Sequence, residues 1–136
     1  MLLDTCAAIW LAHGDPLAEP AIELIKDAAR EGGLLVSPLT AWEIGLLSRP
    51  ERKQPYRFLP DPKTWFARLM ALPTLAVAPF TPDIAIDSTR LPPPLHSDPV
   101  DRIIIATARH LDATVVTRDR AILDYAEAGH VRALAC

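Results

Sequence analysis

Short apolar runs alternate with longer amphipathic stretches along almost the whole chain. The run Met1–Leu3 predicts a strand that ends at Asp4, and Thr5 is placed to cap a helix through CAAIWLA. A second helix is predicted over EPAIELIKDAAREGG, stopped by Gly32 and Gly33. LLVS is the next strand, and PLTAWEIGLLS a helix that ends ahead of Pro50. From Arg49 to Pro60 the chain is polar, basic and marked by proline, the pattern of a loop. DPKTWFARLMAL opens with Asp-Pro, an N-cap residue followed by proline at the first helical position. TLAVAPF then predicts a strand, TPDIAIDSTRL a helix capped by Thr81, and PPPLHS a rigid connection. A helix from Asp98 to Leu111, the strand ATVVT, a short helix RAILDYAEAG and a last strand near HVRAL complete the chain.

Parallel strands need crossover connections, which helices supply, so this alternation predicts an α/β fold. The expected architecture is one domain over residues 1–136, a mainly parallel central sheet with helices on both faces. No internal repeat and no linker long enough to divide the chain is evident.

Composition narrows the function classes. Half of the 136 residues are hydrophobic, which argues against disorder and for a real core. The formal net charge is −3, so the chain is not a simple basic nucleic-acid binder. A nucleic-acid role would need local basic patches, or a metal ion between acid and phosphate. Two cysteines, Cys6 and Cys136, suggest neither a disulfide framework nor a metal-ligand spacing. With an acid already at position 4, no signal peptide is visible, and no apolar run approaches the length of a membrane span. A soluble, cytoplasmic protein with no membrane partner is expected.

The acids carry the candidate chemistry. In open α/β sheets ligands gather beyond the carboxyl ends of the strands. Asp4 directly follows the first strand and Asp119 lies just past ATVVT, so both fall on the same edge if those strands are parallel. Either is equally readable alone as a helix N-cap. Glu43 sits in a helix whose neighbours three and four positions away include Leu39, Thr40, Leu46 and Leu47. A carboxylate buried on such a face must be paired, protonated or metal-bound; the alternative is a side chain reaching out to water. In SDPVDRIIIATA, Asp98 before Pro99 is a helix cap. Asp101 lies beside the stripe of Val100, Ile103, Ile104, Thr107, Ala108 and Leu111. A helix-dipole role accounts for a charge there but not for three other acids at sheet-end positions. Carboxylates gathered in one cleft repel one another, and a divalent cation removes that conflict. Mg²⁺ favours hard oxygen ligands and keeps several waters, and such a site can polarise a phosphodiester and acidify water.

The stretches LLDTCAAIW, SPLTAWEIGLL, HSDPVDRIIIATARH and VVTRDRAI resemble, in order and interval, the four acidic motifs of the PIN-domain family, most closely its VapC-type toxins. The resemblance covers nearly the whole chain. It implies a PIN-like nuclease domain over residues 1–136, a Mg²⁺- or Mn²⁺-dependent endoribonuclease on a parallel α/β sheet. Its catalytic acids map to Asp4, Glu43, Asp101 and Asp119. Asp4 and Asp101 are then the direct metal ligands, with Glu43 and Asp119 binding directly or through water. It further implies an RNA substrate, a cognate antitoxin protein whose tail enters the active-site groove, and a homodimer. One departure is that Leu46 and Leu47 occupy a stretch where related sequences often carry a lysine.

Supporting residues each have a plainer alternative. Asp98, Thr5 and Thr117 are candidates for a second layer behind the metal acids, or caps. Arg49, Arg52, Lys53 and Arg57 form the densest basic segment, for RNA phosphates, an antitoxin tail or simply solvent. Arg102 and Arg118, with Arg120, flank the proposed acids and either steer phosphate or balance charge. His96 reads as a loop histidine rather than a general base, and Trp10, Trp42, Trp65 and Phe66 as helix-packing residues rather than base-stacking ones. Two other functions compete. One is a non-catalytic PIN-like binding module with an acidic pocket. The other is an aspartyl-phosphate phosphotransferase with Asp4 as nucleophile. The second lacks the acid such enzymes generally carry two residues on, where this chain has Cys6.

Overall fold

The computed structural model describes residues 1–95 and 97–136. Its elements, in chain order, are β1 (Leu2–Leu3), α1 (Thr5–His13), α2 (Glu19–Arg30), β2 (Leu34–Val36), α3 (Pro38–Leu47) and α4 (Pro62–Met70). They continue with β3 (Leu75–Val77), α5 (Pro82–Ser88), α6 (Pro99–His110), β4 (Thr114–Thr117), α7 (Arg120–Glu127) and β5 (Arg132–Ala135). The strands form one sheet in the order β3-β2-β1-β4-β5, and every pairing is parallel. The expected α/β class holds, and the sheet is wholly rather than mainly parallel.

Strand alternation sorts the core. Leu2, Leu35 and Val115 share a register row and pack on one face with Val100, Ile104, Ile105 and Ala108 of α6 and Ile122 and Tyr125 of α7. The next row, Leu3, Val36 and Val116, turns to the other face and meets Ala7 and Ala8 of α1, Ala21 and Ile25 of α2, and Leu69 of α4. Helices therefore cover both faces, which is why the strands read as continuous apolar runs. A third cluster of Ile9, Ile44 and Phe58 joins α1, α3 and the basic loop.

Three local expectations are corrected. Thr5 does not cap α1: it is the first helical residue, and Asp4 is the cap, accepting from the Ala7 N–H at 2.6 Å. An Asp ahead of Thr offers a carboxylate at the position where the chain is still extended, so it takes the cap first. The strand expected through Phe80 ends at Val77, because Pro79 cannot donate to a ladder. Trp42, expected to pack, is 53% exposed, since apart from Thr40 and Glu43 α3 is apolar nearly all round and one apolar side must face water. Among the described residues no helix is long and apolar enough to cross a membrane.

Candidate active site

The chain adds β2 and β3 on one side of β1 and then returns to place β4 on the other. The carboxyl ends of β1 and β4 thus form a topological switch point, where an open α/β sheet leaves a crevice. Asp4 follows β1 and Asp119 follows β4, and both line a cleft of about 380 Å³ there. Its other walls are Thr5, Cys6 and Trp10 of α1, Glu43 of α3, Asp98 with Asp101 and Ile104 at the start of α6, and Arg118. All four acids expected of the site meet in one place, and Asp98 joins them.

Each acid is held by a local rule. Asp4, Asp98 and Asp119 are the N-caps of α1, α6 and α7. Oδ1 of Asp98 accepts from the Val100 N–H at 2.9 Å and the Asp101 N–H at 3.3 Å. Oδ1 of Asp119 accepts from the Ala121 N–H at 2.8 Å and the Ile122 N–H at 3.1 Å. The cap reading and the site reading are therefore not rivals: capping is what aims these carboxylates at the cleft. Glu43 is half-buried in α3 and accepts a hydrogen bond from the Thr5 hydroxyl, which lies 3.1 Å from that of Thr40. Thr117 is fully buried; its Oγ1 accepts the Asp119 N–H at 2.8 Å, and its hydroxyl favours the ionised form of the Asp4 carboxylate. Thr5 thus lines the cleft with its hydroxyl on Glu43, and Thr117 lies buried beneath Asp119.

Burial pushes the Asp4 carboxyl above its usual range, the Ala7 and Thr117 hydrogen bonds oppose this, and the charge of Asp119 reinforces it. Glu43 is raised by burial, held back by Thr5, and raised further by Asp98 and Asp4. The Cys6 thiol is pushed up to about 11, first by burial and then by the surrounding carboxylates of Asp4, Glu43, Asp101 and Asp119. The carboxylates thus act on one another and on Cys6 across the cleft. Among the described residues, no three His, Cys, Asp or Glu side chains close into a group that holds a metal ion unaided. The donor set still suits Mg²⁺ or Mn²⁺, because hard oxygens dominate it and such ions need only one or two direct carboxylates beside their waters.

The basic candidates separate. Arg118 lines the cleft. Arg102 is half-buried and donates through Nε to the Ser88 carbonyl at 2.9 Å. Arg49, Arg52, Lys53 and Arg57 are exposed on a loop anchored by Phe58 and by the Tyr56 N–H on the Leu47 carbonyl, and none lines the cleft. His96 lies outside the described residues. Sequence reasoning missed Cys6 and Trp10 as lining residues, although their spacing of four puts both on the face of α1 that starts at the cleft. A larger cleft of about 680 Å³ between α3 and α4 is apolar, lined by Ala41, Gly45, Pro62, Phe66, Ala67 and Met70 with Asp61 and Lys63 at its edge, and offers no comparable chemistry.

Comparison with known proteins gives two findings. The family model described as PIN domain matches residues 1–128. A crystal structure of VapBC2 from Rickettsia felis, bound to a DNA fragment from their promoter, is similar with a TM-score of 0.67 at 13% identity, covering 98% of this chain and 96% of that one. At that identity the likeness is one of fold. No curated protein matches.

Proposed function

We propose that this chain, which belongs to the PIN-domain family, is a divalent-metal-dependent endoribonuclease, the VapC-type toxin of a toxin–antitoxin pair. The observation that carries the reading is the meeting of Asp4, Glu43, Asp98, Asp101 and Asp119 around one cleft at the sheet's switch point. Asp4 and Asp101 are assigned as direct ligands of Mg²⁺ or Mn²⁺, with Glu43 and Asp119 holding it directly or through water. When bound, the ion supplies an acidified water and offsets the charge of an incoming phosphate. The chain's own part is positioning. Both cap bonds of Asp119 fall on Oδ1, which leaves Oδ2 for a ligand. Thr5 and Thr117 fix the orientations of Glu43 and Asp4 and favour their ionised forms.

A protein partner is supported by a different surface. Trp42 stands half exposed on α3, the helix that also walls the apolar cleft against α4. The likeness of fold to the R. felis VapBC2 complex supports an antitoxin as a partner, and a homodimer is the second association proposed.

The test is cleavage of RNA by the purified full chain. Endonucleolytic products are expected with Mg²⁺ or Mn²⁺ and none with EDTA. Asp4→Asn and Asp101→Asn are expected to lower the rate by about 100-fold or more, with the circular dichroism spectrum retained. A chain that folds, takes up the metal and cuts no RNA, tRNA included, would favour the binding-module reading instead.

A further inference from the structure

Arg118 stands out in the wall of the cleft because it is the one basic side chain among the described lining residues, yet no aspartate or glutamate among the described residues pairs with it. Other groups hold it instead. Its guanidinium carbon sits 4.1 Å from the centroid of the Trp10 ring, a cation–π stack. Its Nε donates to the main-chain oxygen of Cys136 at 2.7 Å and its Nη2 to the Pro16 carbonyl at 2.6 Å. These three anchors come from α1, the connection after α1 and the end of β5, and they fix the plane of the group.

A guanidinium carries five N–H donors in a rigid fork. Here two of them are spent on main-chain oxygens, and the remaining three, on Nη1 and Nη2, have no acceptor among the described residues. The side chain is nonetheless exposed. An arginine serving only to neutralise the acids would lie on a carboxylate, where the Coulomb gain is greatest. One serving only as a staple would be covered. This one is exposed at the acidic cleft with three of its five donors unspent.

We propose that Arg118, oriented by Trp10 and by the main-chain oxygens of Pro16 and Cys136, binds a phosphate of the RNA strand beside the bond to be cut. Two parallel N–H donors match two non-bridging oxygens of a phosphodiester. The assignment rests on the nuclease reading above and adds the residue that sets the strand's position. It also answers a difficulty of that reading, since a chain of net charge −3 with a five-carboxylate cleft needs a fixed cation beside the metal to receive a polyanion.

The experiment measures binding of a single-stranded RNA oligonucleotide to the full-length Asp101→Asn chain in Mg²⁺ across a KCl series. Adding Arg118→Gln is expected to weaken binding roughly tenfold, as for loss of one charge-assisted contact. It is also expected to make the slope of log affinity against log salt shallower by about 0.7, the value of one single-strand phosphate contact. Arg118→Lys keeps the charge and is expected to keep the slope. An unchanged slope in Arg118→Gln overturns the assignment. Because Arg118→Gln also removes two structural hydrogen bonds, a second measurement uses the native arginine. Phenylglyoxal modification of Arg118 in the Asp101→Asn chain is expected to fall several-fold when RNA is bound, while Arg109, held on the His130 carbonyl, is unaffected. Equal modification with and without RNA overturns the assignment as well. If the wild type cuts RNA and these readouts do not move, Arg118 alone is misassigned; if no RNA is bound or cut, the nuclease reading falls with it.

Discussion

The hydroxyl of Thr5 donates to the carboxylate of Glu43, joining the first turn of α1 to the middle of α3 across 38 positions of sequence. The bond draws a glutamate from an otherwise apolar helix to the cleft. Its loss leaves a half-buried carboxylate short of a donor. Thr5→Val is expected to cost about 1.5–3 kcal/mol at neutral pH, the range for a hydrogen bond to a charged group. Thr5→Ser is expected to restore most of it. Urea denaturation of the three proteins checks both outcomes.

Glu43 also fixes a pH dependence. Burial, Asp98 and Asp4 raise its carboxyl above the ordinary range, so the folded protein holds this proton to higher pH than the unfolded chain does. Its contribution to stability is therefore fully present below the unfolded value of about 4 and is lost as pH rises through the folded value. Glu43→Gln cannot ionise. In metal-free buffer it is expected to melt higher than the wild type at pH 7, with the gap closing as pH falls towards 4. A gap that stays constant across that range would contradict the raised carboxyl. Asp4 shifts in the same direction, but its replacement also disturbs a cap, so Glu43 isolates the effect.

Asp98 carries two duties that substitution can separate. Asp98→Ala removes both the cap of α6 and a carboxylate of the cleft, and is expected to lower stability by about 1 kcal/mol. Asp98→Ser keeps a cap oxygen and is expected to stay within a few tenths of the wild type. If the carboxylate matters to cleavage, both variants lose rate alike, by roughly 10–100-fold. Thermal melts set beside initial rates test this, and a Ser variant with full activity would reduce Asp98 to a cap.

Much of this was legible in the sequence because the rules involved are local. The apolar rows Leu2–Leu3, Leu34–Val36 and Thr114–Thr117 announce the buried parallel strands, and Asp-Pro at 61–62 and 98–99 announces two helix starts. Asp4 and Asp119 were readable as cap or site, and the folded chain makes them cap and cleft wall together. What was hidden depends on distant partners. The anchoring of Arg118 on Pro16 spans 102 positions, and neither its fork geometry nor its stack on Trp10 leaves a mark in local pattern. Trp42 misled for the converse reason, since a helix apolar nearly all round does not say which side will be left uncovered.

Three helices, α1, α6 and α7, begin at this cleft, each with a capping aspartate at its first turn. Every helix start presents roughly half a positive charge from its unpaired amides, so the backbone alone brings about one and a half charges to the carboxylates. Part of the repulsion among the acids is thereby met by peptide groups that cannot dissociate. The fold is therefore expected to keep its acidic corner closed without an ion, and on the nuclease reading a chelator is expected to silence the protein without unfolding it.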